Sequence, residues 1–545
     1  MGITKKRRGG TMIGRSALMA GTVLSGLMTA LPAAAQTTLE DRVRALEQAL
    51  GVTPQPALTL EQRVQAIEAR LARGAPAVAT APAAAAPVVA QTPIAPAPQP
   101  APQPAPGPQI VQAAAEPMRT AVPPPQAPAA PTWSYDFNRA TIRSADNNFQ
   151  LAFRGRFQFD SGVFFQDDAL APAVSVGRDL HNGANFRRAQ IGFEGRVYRD
   201  FNYEFVYDFG SSGTERSGQI YLLRLAYTGI PNLTINGGAI QPKFTLNDST
   251  SSADITFLER ASIVNTILDP FGGSDSRRGV ELIFQKAGLF RGGDNLLIST
   301  AFTGERIAAI KTDDEGSQLL GRAAYRFYSD ATSNYQIGVD VARIMNKPNG
   351  VLAFGDRPET RVDGTQLVGF GTAGLPTPVV AKTAWLYGFE AAMNRGPFYI
   401  AGEYYKYGLE RTNSALKDPT FGGWYVEASY FLTGHTRPYN AAAAAFTSPA
   451  IPAPFDLNAG TWGAWEAKAR YSVNDLNALE TDANLANRVL GGEQHIISLG
   501  ANWYLNRNVR WMFDYLIVDV DRKDAGGAQA GQDFTAFMNR LQFSF

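Results

Sequence analysis

The last nine residues of the chain, FMNRLQFSF, form a strand pattern with one largely apolar face and one largely polar face. Phe537, Leu541, Phe543 and Phe545 fall on one side of an extended chain, and Arg540 falls on the other. A terminal aromatic residue on such a strand is typical of the closing strand of an outer-membrane β-barrel, in which one face meets lipid and the other meets water. The pattern therefore predicts a barrel that spans a membrane.

Similar alternation recurs upstream of this strand. From Phe149 onward the sequence contains about sixteen alternating segments, each compatible with the roughly 9 to 11 residues that a tilted membrane strand requires. Bacterial single-chain barrels have an even number of strands. We therefore expect residues 133–545 to form an all-β fold, a 16-stranded antiparallel transmembrane β-barrel.

The connections between these segments alternate in length. Tight connections occur at 199–200, 229–232, 329–333, 394–396 and 506–507, and long ones occur at 161–185, 241–278 and 344–383. If the tight connections are periplasmic turns, both ends of the barrel lie in the periplasm. Residues 433–461 are an exception, because a connection of about thirty residues rich in Ala and Pro stands where a short turn is expected. We expect this connection to fold into the lumen.

Residues 1–35 have the pattern of a secretory signal peptide. Basic residues between Lys5 and Arg15 precede a weakly apolar run, and Ala33 to Ala35 offer a small-residue cleavage site before Gln36. No later stretch reaches the roughly 18 to 20 apolar residues that a spanning helix needs. We therefore expect export to the outer membrane of a Gram-negative bacterium, with the segment that precedes the barrel in the periplasm.

Residues 36–73 contain a duplicated coiled-coil pattern. TLEDRVRALEQAL begins at Thr38 and TLEQRVQAIEARL begins at Thr59, and both carry apolar residues in 4-3-4 spacing. Helices this short are marginal in water, so we expect them to associate with copies from neighbouring subunits; the alternative is that they fray or lie against the barrel. Residues 74–132 are almost entirely Ala, Pro, Gln and Val, which predicts an extended Pro/Ala-rich linker.

Composition argues against an enzyme. The chain has no cysteine and three histidines, His181, His435 and His495, which excludes disulfides, thiol catalysis and Cys-ligated zinc. His495 and Ser498 are close in sequence, but strand alternation places them on opposite faces, where a nucleophile and its base cannot meet. We expect no catalytic residues, no metal or cofactor site and no nucleic-acid partner.

Strand parity assigns many basic residues to the lumen. Around Arg154 and Arg156 the phenylalanines take the lipid side, so the arginines point inward; a charge on the lipid face would cost about 2 to 4 kcal/mol at the midplane. The same reasoning places Arg188, Arg224, Arg322, Lys468 and Arg470 inside. Residues 133–545 nevertheless carry 39 Lys plus Arg and 43 Asp plus Glu. The residues alone therefore leave both an anion-selective pore and a general diffusion pore open.

Eight segments of the sequence bear on the selectivity of the predicted pore. They are FRGRFQFD, FRRAQIGFEGRVYRDFNYEFVYDF, SSADITFLERASI, SRRGVELIF, GGWYVEASYFLTGHTRPY, GAWEAKARYSVNDLN, NWYLNRNVRWMFDYLIVD and RLQFSF. In this order they resemble the phosphate- and polyphosphate-selective porins, the porin O and P family, over about residues 133–545. The resemblance implies a trimeric, sixteen-stranded porin for small anions of the phosphate class, in which long loops narrow the pore and arginines lead anions to the constriction.

The resemblance also implies roles for single residues. The family's early arginines are matched by Arg154, Arg156, Arg187 and Arg188, its third-loop basic residue by Lys243, and the pair before its sixth strand by Arg277 and Arg278. With the parity assignments, the predicted pore-lining and anion-binding residues are Arg154, Arg156, Arg187, Arg188, Arg224, Lys243, Arg277, Arg278, Arg322, Lys468 and Arg470.

The segment 344–383 departs from the family pattern. The entrance lysines of phosphate-specific members are not evident there, because only Lys347 and Lys382 stand beside two arginines and three acidic residues. A general small-solute porin is therefore an alternative. A second alternative is a structural tether, in which the coiled coil and linker contact the cell wall.

Overall fold

The computed structural model of the protein describes residues 131–136, 139–166, 180–210, 218–307, 314–371, 375–376, 378–523 and 526–545. The predicted signal peptide, the predicted coiled coil and nearly all of the predicted linker lie outside the described residues. Among the helices in the described ranges, none has the length and apolar character needed to cross a membrane.

Sixteen antiparallel strands form one closed barrel, as the sequence predicts. The closure pairs the last strand with the first, from Phe534 opposite Gln166 to Ser544 opposite Arg156. The strands are β1 Gln150–Gln166, β2 Gly183–Val197, β3 Phe201–Asp208, β4 Gln219–Ile230, β5 Leu233–Ile240, β6 Arg277–Ala287, β7 Asn295–Arg306, β8 Ser317–Ser329, β9 Ser333–Asn346, β10 Val379–Arg395, β11 Phe398–Arg411, β12 Thr420–Phe431, β13 Ala464–Ala478, β14 Val489–Tyr504, β15 Val509–Asp521 and β16 Phe534–Ser544.

The two faces of the barrel wall follow the predicted alternation. On β1, Phe153, Phe159 and Phe165 are exposed on the outer face, whereas Gln158 and Asp160 are buried on the inner face. The apolar outer face suits lipid, and the polar inner face finds partners within the lumen. The assignment of faces from sequence parity is confirmed for this strand.

Connection lengths also alternate as predicted. Short turns join β2 to β3, β4 to β5, β8 to β9, β10 to β11 and β14 to β15, and they lie at the end of the barrel where β1 starts and β16 ends. We call this the turn end and the opposite end the loop end. The first loop is shorter than predicted, because β1 continues to Gln166 and β2 begins at Gly183; the ladder between these strands extends past the apolar run that marks them in the sequence.

Residues 241–276, between β5 and β6, fold into the barrel and are here called the inner loop. The loop contains two short helices, α1 (Leu246–Ser249) and α2 (Ser262–Leu268). Apolar side chains of α2 pack against Phe354, Phe370 and Tyr407 in one buried cluster. Burial of these apolar groups holds the loop inside the lumen.

The connection between β12 and β13, residues 432–463, enters from the turn end and is here called the turn insert. Its two-residue strands Tyr439–Asn440 and Ala445–Phe446 pair with each other. Ala443, Ala444 and Phe446 are buried, and Arg322 on the barrel wall donates to the carbonyls of Ala443 and Ala444 at 2.8 Å each. The predicted insertion of this connection into the lumen is confirmed.

The remaining described elements are short. Thr132–Asp136 and Arg139–Arg143 form a hairpin that precedes the barrel and pairs with the start of β1. In the loop between β9 and β10, Val351–Leu352 pairs with the start of β10, and Phe354–Asp356 pairs with Val368–Phe370. A single 3-10 turn spans Leu485–Asn487.

Candidate permeation site

A polar cavity of about 210 Å³ is lined by residues of strands β1, β3 and β4, the inner loop and the turn insert. We call it the basic cavity, because five basic side chains line it beside three acidic ones. The basic residues are Arg154, Arg156, Arg224, Lys243 and Arg260, and the acidic residues are Glu204, Asp248 and Asp254. Four of the eleven predicted pore residues, Arg154, Arg156, Arg224 and Lys243, therefore meet at one place.

Two of these basic residues lack an acidic partner. Arg156 donates to the hydroxyls of Ser252 at 2.5 Å and Ser251 at 3.1 Å, and within the described part of the chain no carboxylate lies in ion-pair range of it or of Lys243. A guanidinium bound only by hydroxyls keeps its full charge and can exchange these neutral partners for a phosphate or carboxylate oxygen. The cavity thus offers available positive charge.

The other basic residues of the cavity are balanced. Glu204 accepts from Arg154 and, at 2.7 Å, from Arg224. Asp248 lies 3.0 Å from Arg260. Asp254 is engaged by the turn insert, where its Oδ1 accepts from the backbone N–H of Ser448 at 3.0 Å. These contacts fix the positions of the basic side chains around the open space.

Arg187 and Arg188 both enter the lumen because β2 is irregular at this point. Gln158 on β1 pairs with Arg188 and Phe159 pairs with Phe186, so that Arg187 is an extra residue in β2. Such a bulge redirects a side chain that alternation would turn outward. Arg187 then reaches Glu259 of the inner loop at 2.6 and 2.9 Å, and Arg188 donates to Gln158 at 2.8 Å.

Glu259 attaches the inner loop to the barrel wall. Besides Arg187, it accepts from Arg540 on β16 at 2.7 Å, and Arg540 also binds Asp160 at 2.6 and 2.7 Å. Burial opposes the charge of Glu259, but attraction to Arg187 and Arg540 holds its pKa well below the ordinary value. Strands β2 and β16, which flank β1 at the barrel closure, are thereby both bonded to the inner loop through Glu259.

Lys468 and Arg470, both on β13, also hold the loops inside the barrel. Lys468 lies 2.5 Å from Asp514 and donates to the carbonyl of Thr256 in the inner loop at 2.9 Å. Arg470 binds Glu359, in the loop between β9 and β10, and the carbonyl of Glu259. Both cations are therefore engaged in loop attachment.

The last three predicted residues are also ion-paired. Arg322 binds Glu390 at 2.8 and 3.0 Å beside the turn insert. Arg277 lies 2.8 Å from Asp269 at the end of the inner loop. Arg278 lies 3.0 Å from Glu315 near the loop end of the barrel. The structure thus places the three residues apart from the basic cavity.

Sequence reasoning missed several charged residues of the interior. Arg540 falls on the polar face of the last strand, so its inward direction was predictable from parity, but its contacts with Asp160 and Glu259 were not. Arg437 of the turn insert binds Glu466 at 2.7 Å and stacks over the ring of Tyr399. Glu259 and Arg437 lie on inserted segments without strand periodicity, so no sequence signal gave their direction.

Three carboxylates form the group best placed to hold a cation. Ligand oxygens of Asp340, Glu390 and Glu403 lie within 4.8 Å of one another. The group already has partners, because Arg322 binds Glu390 and the backbone N–H groups of Leu246 and Asn247 donate to Glu403 at 2.6 and 3.1 Å. These contacts attach α1 to the barrel wall.

Comparisons with known proteins place the chain among porins. The sequence profile described as phosphate-selective porin O and P matches residues 153–545. Porin O of Pseudomonas aeruginosa is 25% identical over 429 residues, which cover 74% of this chain and 90% of that protein. A Caulobacter vibrioides protein described as uncharacterized is 28% identical over 410 residues, covering 73% of this chain and 74% of that protein. An anion-selective porin from Comamonas acidovorans aligns with 12% identity and a TM-score of 0.45, covering 73% of this chain and 100% of that structure.

Proposed function

The chain belongs to the phosphate-selective porin O and P family, and from this membership we propose that it is an outer-membrane porin for passive diffusion of small anions of the phosphate class. The observation that carries the proposal is the basic cavity, in which no carboxylate of the described residues lies in ion-pair range of Arg156 or Lys243. The family and the barrel fold indicate a channel rather than an enzyme.

The chemistry of the cavity suits oxyanions. Guanidinium groups present several N–H donors in a plane, which matches the oxygens of phosphate, whereas a halide offers one acceptor. Conduction also requires that binding be weak enough for release. The hydroxyls of Ser251 and Ser252 favour release, because the N–H groups of Arg156 donate to them again when an anion leaves.

Single-channel recording of the refolded barrel tests the proposal. We expect the reversal potential in a salt gradient to indicate anion preference and inorganic phosphate to reduce chloride current by occupying the cavity. Arg156→Gln should weaken both effects. Arg395→Gln, at the exposed end of β10 next to a short turn, is the matched control and should change neither. A cation-selective wild-type pore would overturn the proposal.

A general small-solute pore is the second candidate. It is favoured by the interior ion pairs, since Arg187, Arg322, Lys468, Arg470 and Arg540 are all matched by carboxylates. Paired charges set a transverse field without a net preference for anions. Phosphate distinguishes the candidates, because a general pore would conduct chloride equally well in its presence and absence.

We propose a homotrimer whose contact surface includes β3 and β5. Each of these strands has eight residues, fewer than the roughly 9 to 11 that a lipid-facing strand requires. The neighbouring outer surface is aromatic, with the rings of Phe193 and Phe205 5.3 Å apart. A short, aromatic stretch of wall suits contact with another barrel. The mass of the native complex in mild detergent tests this, and a protein that stays monomeric at high concentration would refute it.

The N-terminal predictions remain proposals. We propose that the signal peptide is removed before Gln36 and that residues 36–132 lie in the periplasm, where the coiled coil associates between subunits or contacts the cell wall. A protein that serves only as a tether would not conduct. Deletion of residues 36–132 should leave conductance intact, and lost cell-wall attachment without lost conductance would reveal the tether as a separate role.

A further inference from the structure

The hairpin that precedes the barrel lies beside the lumen at the turn end. Its second strand pairs with the start of β1, with Thr141 opposite Ala152 and Arg143 opposite Gln150. The closing strand β16 and the final Phe545 pair with β1 from Gly155 onward, so the hairpin covers the edge of β1 that precedes this residue. The whole hairpin precedes residue 153, where the family match begins.

Alternation in this hairpin turns Arg139 toward the lumen. Ile142 is 40% exposed, whereas Thr141 is 2% exposed, so Arg139 shares the inward side with Thr141. Its guanidinium binds Glu194 on the inner face of β2. A residue from outside the sixteen strands therefore contributes a charge to the pore interior.

Glu194 lines a second polar cavity of about 210 Å³. This cavity lies on the turn-end side of the basic cavity and shares Glu204 and Arg224 with it. Its own charged lining is balanced, because Arg196 and Arg224 face Glu194 and Glu204. An anion that moves from the basic cavity toward the turn end would meet this second space next.

The positive excess of the second cavity comes from two arginines that bind Glu194 from beside it. Arg154 approaches Glu194 at 3.4 Å, and Arg139 forms the closer contact. With both included, four arginines stand against two glutamates, a net charge of plus two. Without Arg139 the excess falls to plus one, and Glu194 would keep only the more distant Arg154 to offset its attraction for cations among the described residues.

We propose that Arg139 is a specificity-determining residue that keeps the turn-end exit of the pore attractive to anions by neutralising Glu194. The proposal rests on the proposed anion-channel function. Arg139 acts through Glu194 as well as through its own charge, and it extends the row formed by Arg154 and Arg156 toward the periplasmic side.

Reversal potentials of full-length variants test this role. At 0.01 M salt, where the screening length is about 30 Å, we expect Arg139→Gln to lower the anion-to-cation permeability ratio by about twofold or more. The double variant Arg139→Gln with Glu194→Gln restores the net charge of plus two and should restore the ratio. Arg199→Gln removes an exposed charge from a turn at the same end and should leave the ratio unchanged.

The outcomes separate the two proposals. A wild-type pore without anion preference would overturn the proposed function itself. An anion-selective wild type in which Arg139→Gln behaves like Arg199→Gln would overturn only the role of Arg139. A loss that the double variant does not reverse would also overturn it, because the hairpin would then act by its position rather than through the charge of Glu194.

Discussion

Inward-facing arginines of the barrel wall fall into two groups that differ in their partners. Arg470 and Arg540 bind carboxylates of the inserted loops, and neither retains net charge for a solute. Among the residues that the structure describes, Arg156 and Arg188, on β1 and β2, bind only serine or glutamine side chains. We call the first group, with Arg187, Glu259 and Glu359, the anchoring side and the second the cavity side; the names describe the partners and not separate walls, because Arg187 and Arg188 are neighbours on β2.

This difference shows what an inward-facing arginine can do in a porin. The free-energy cost of a charge in lipid explains why the arginines of both groups face inward. It does not determine which of them interact with permeating ions. A buried pair with well-placed hydrogen bonds fixes loop geometry, and breaking it leaves an uncompensated charge. An arginine whose neighbours are neutral keeps an uncompensated positive charge, which can attract permeating anions. The anchoring side should therefore control stability and pore width, and the cavity side should control selectivity.

The largest effect is expected from Glu259→Gln on the anchoring side. The substitution removes the charge that Arg187 and Arg540 share, and loss of one partner in a buried ionic group costs roughly 3 to 5 kcal/mol. We expect a corresponding fall in the free energy of unfolding in denaturant and larger fluctuations of single-channel current. Glu480→Gln, on an exposed loop, is the control; equal stability of the two variants would contradict the anchoring role.

Shortening residues 433–461 to a four-residue turn should widen the pore. The turn insert occupies space beside the inner loop, and its Arg437 donates to the carbonyl of Asp254 at 3.1 Å. Its removal should raise single-channel conductance while the barrel stays folded, because Arg322 keeps Glu390 as a partner. Unchanged conductance in an intact barrel would mean that the insert does not limit the current.

On the cavity side, Arg156→Gln combined with Arg188→Gln should move the reversal potential toward cations. The partners of both arginines are neutral, so the variant leaves no carboxylate unpaired and should reduce the unfolding free energy by only about 1 to 3 kcal/mol. The shift should be stronger at low salt. A large stability loss without a shift in reversal potential would place these residues with the anchoring side.

Strand count, faces and connection lengths were predictable because alternation depends on local sequence. The contacts of the inner loop were not, because parity gives a direction and no partner: it places Arg470 in the lumen but cannot tell that Glu359 meets it there. Arg187 entered the lumen through a bulge that the sequence does not mark. Arg154, Arg156, Arg224 and Lys243 were predicted to line the pore, but their convergence on one cavity depends on how two inserted segments pack.

The smallest effect concerns Asp356, a buried residue in the loop between β9 and β10 that also carries Glu359 of the anchoring side. Its Oδ2 accepts from Gln494 at 3.3 Å, and burial raises its pKa to about 7, although attraction to Arg361 opposes the shift. An unfolded aspartate has a pKa of about 4, so between about pH 4 and 7 the folded protein binds a proton that the unfolded chain has released. The contribution of this group to the unfolding free energy therefore falls as pH rises through that window and is flat above it.

Asp356→Asn should remove this part of the pH dependence and leave the reversal potential unchanged, as denaturant unfolding and single-channel recording at about pH 5 and pH 8 would measure. An unaltered pH dependence in the variant would show that Asp356 is ionised throughout, and a shifted reversal potential would show that permeating ions sense the anchoring side.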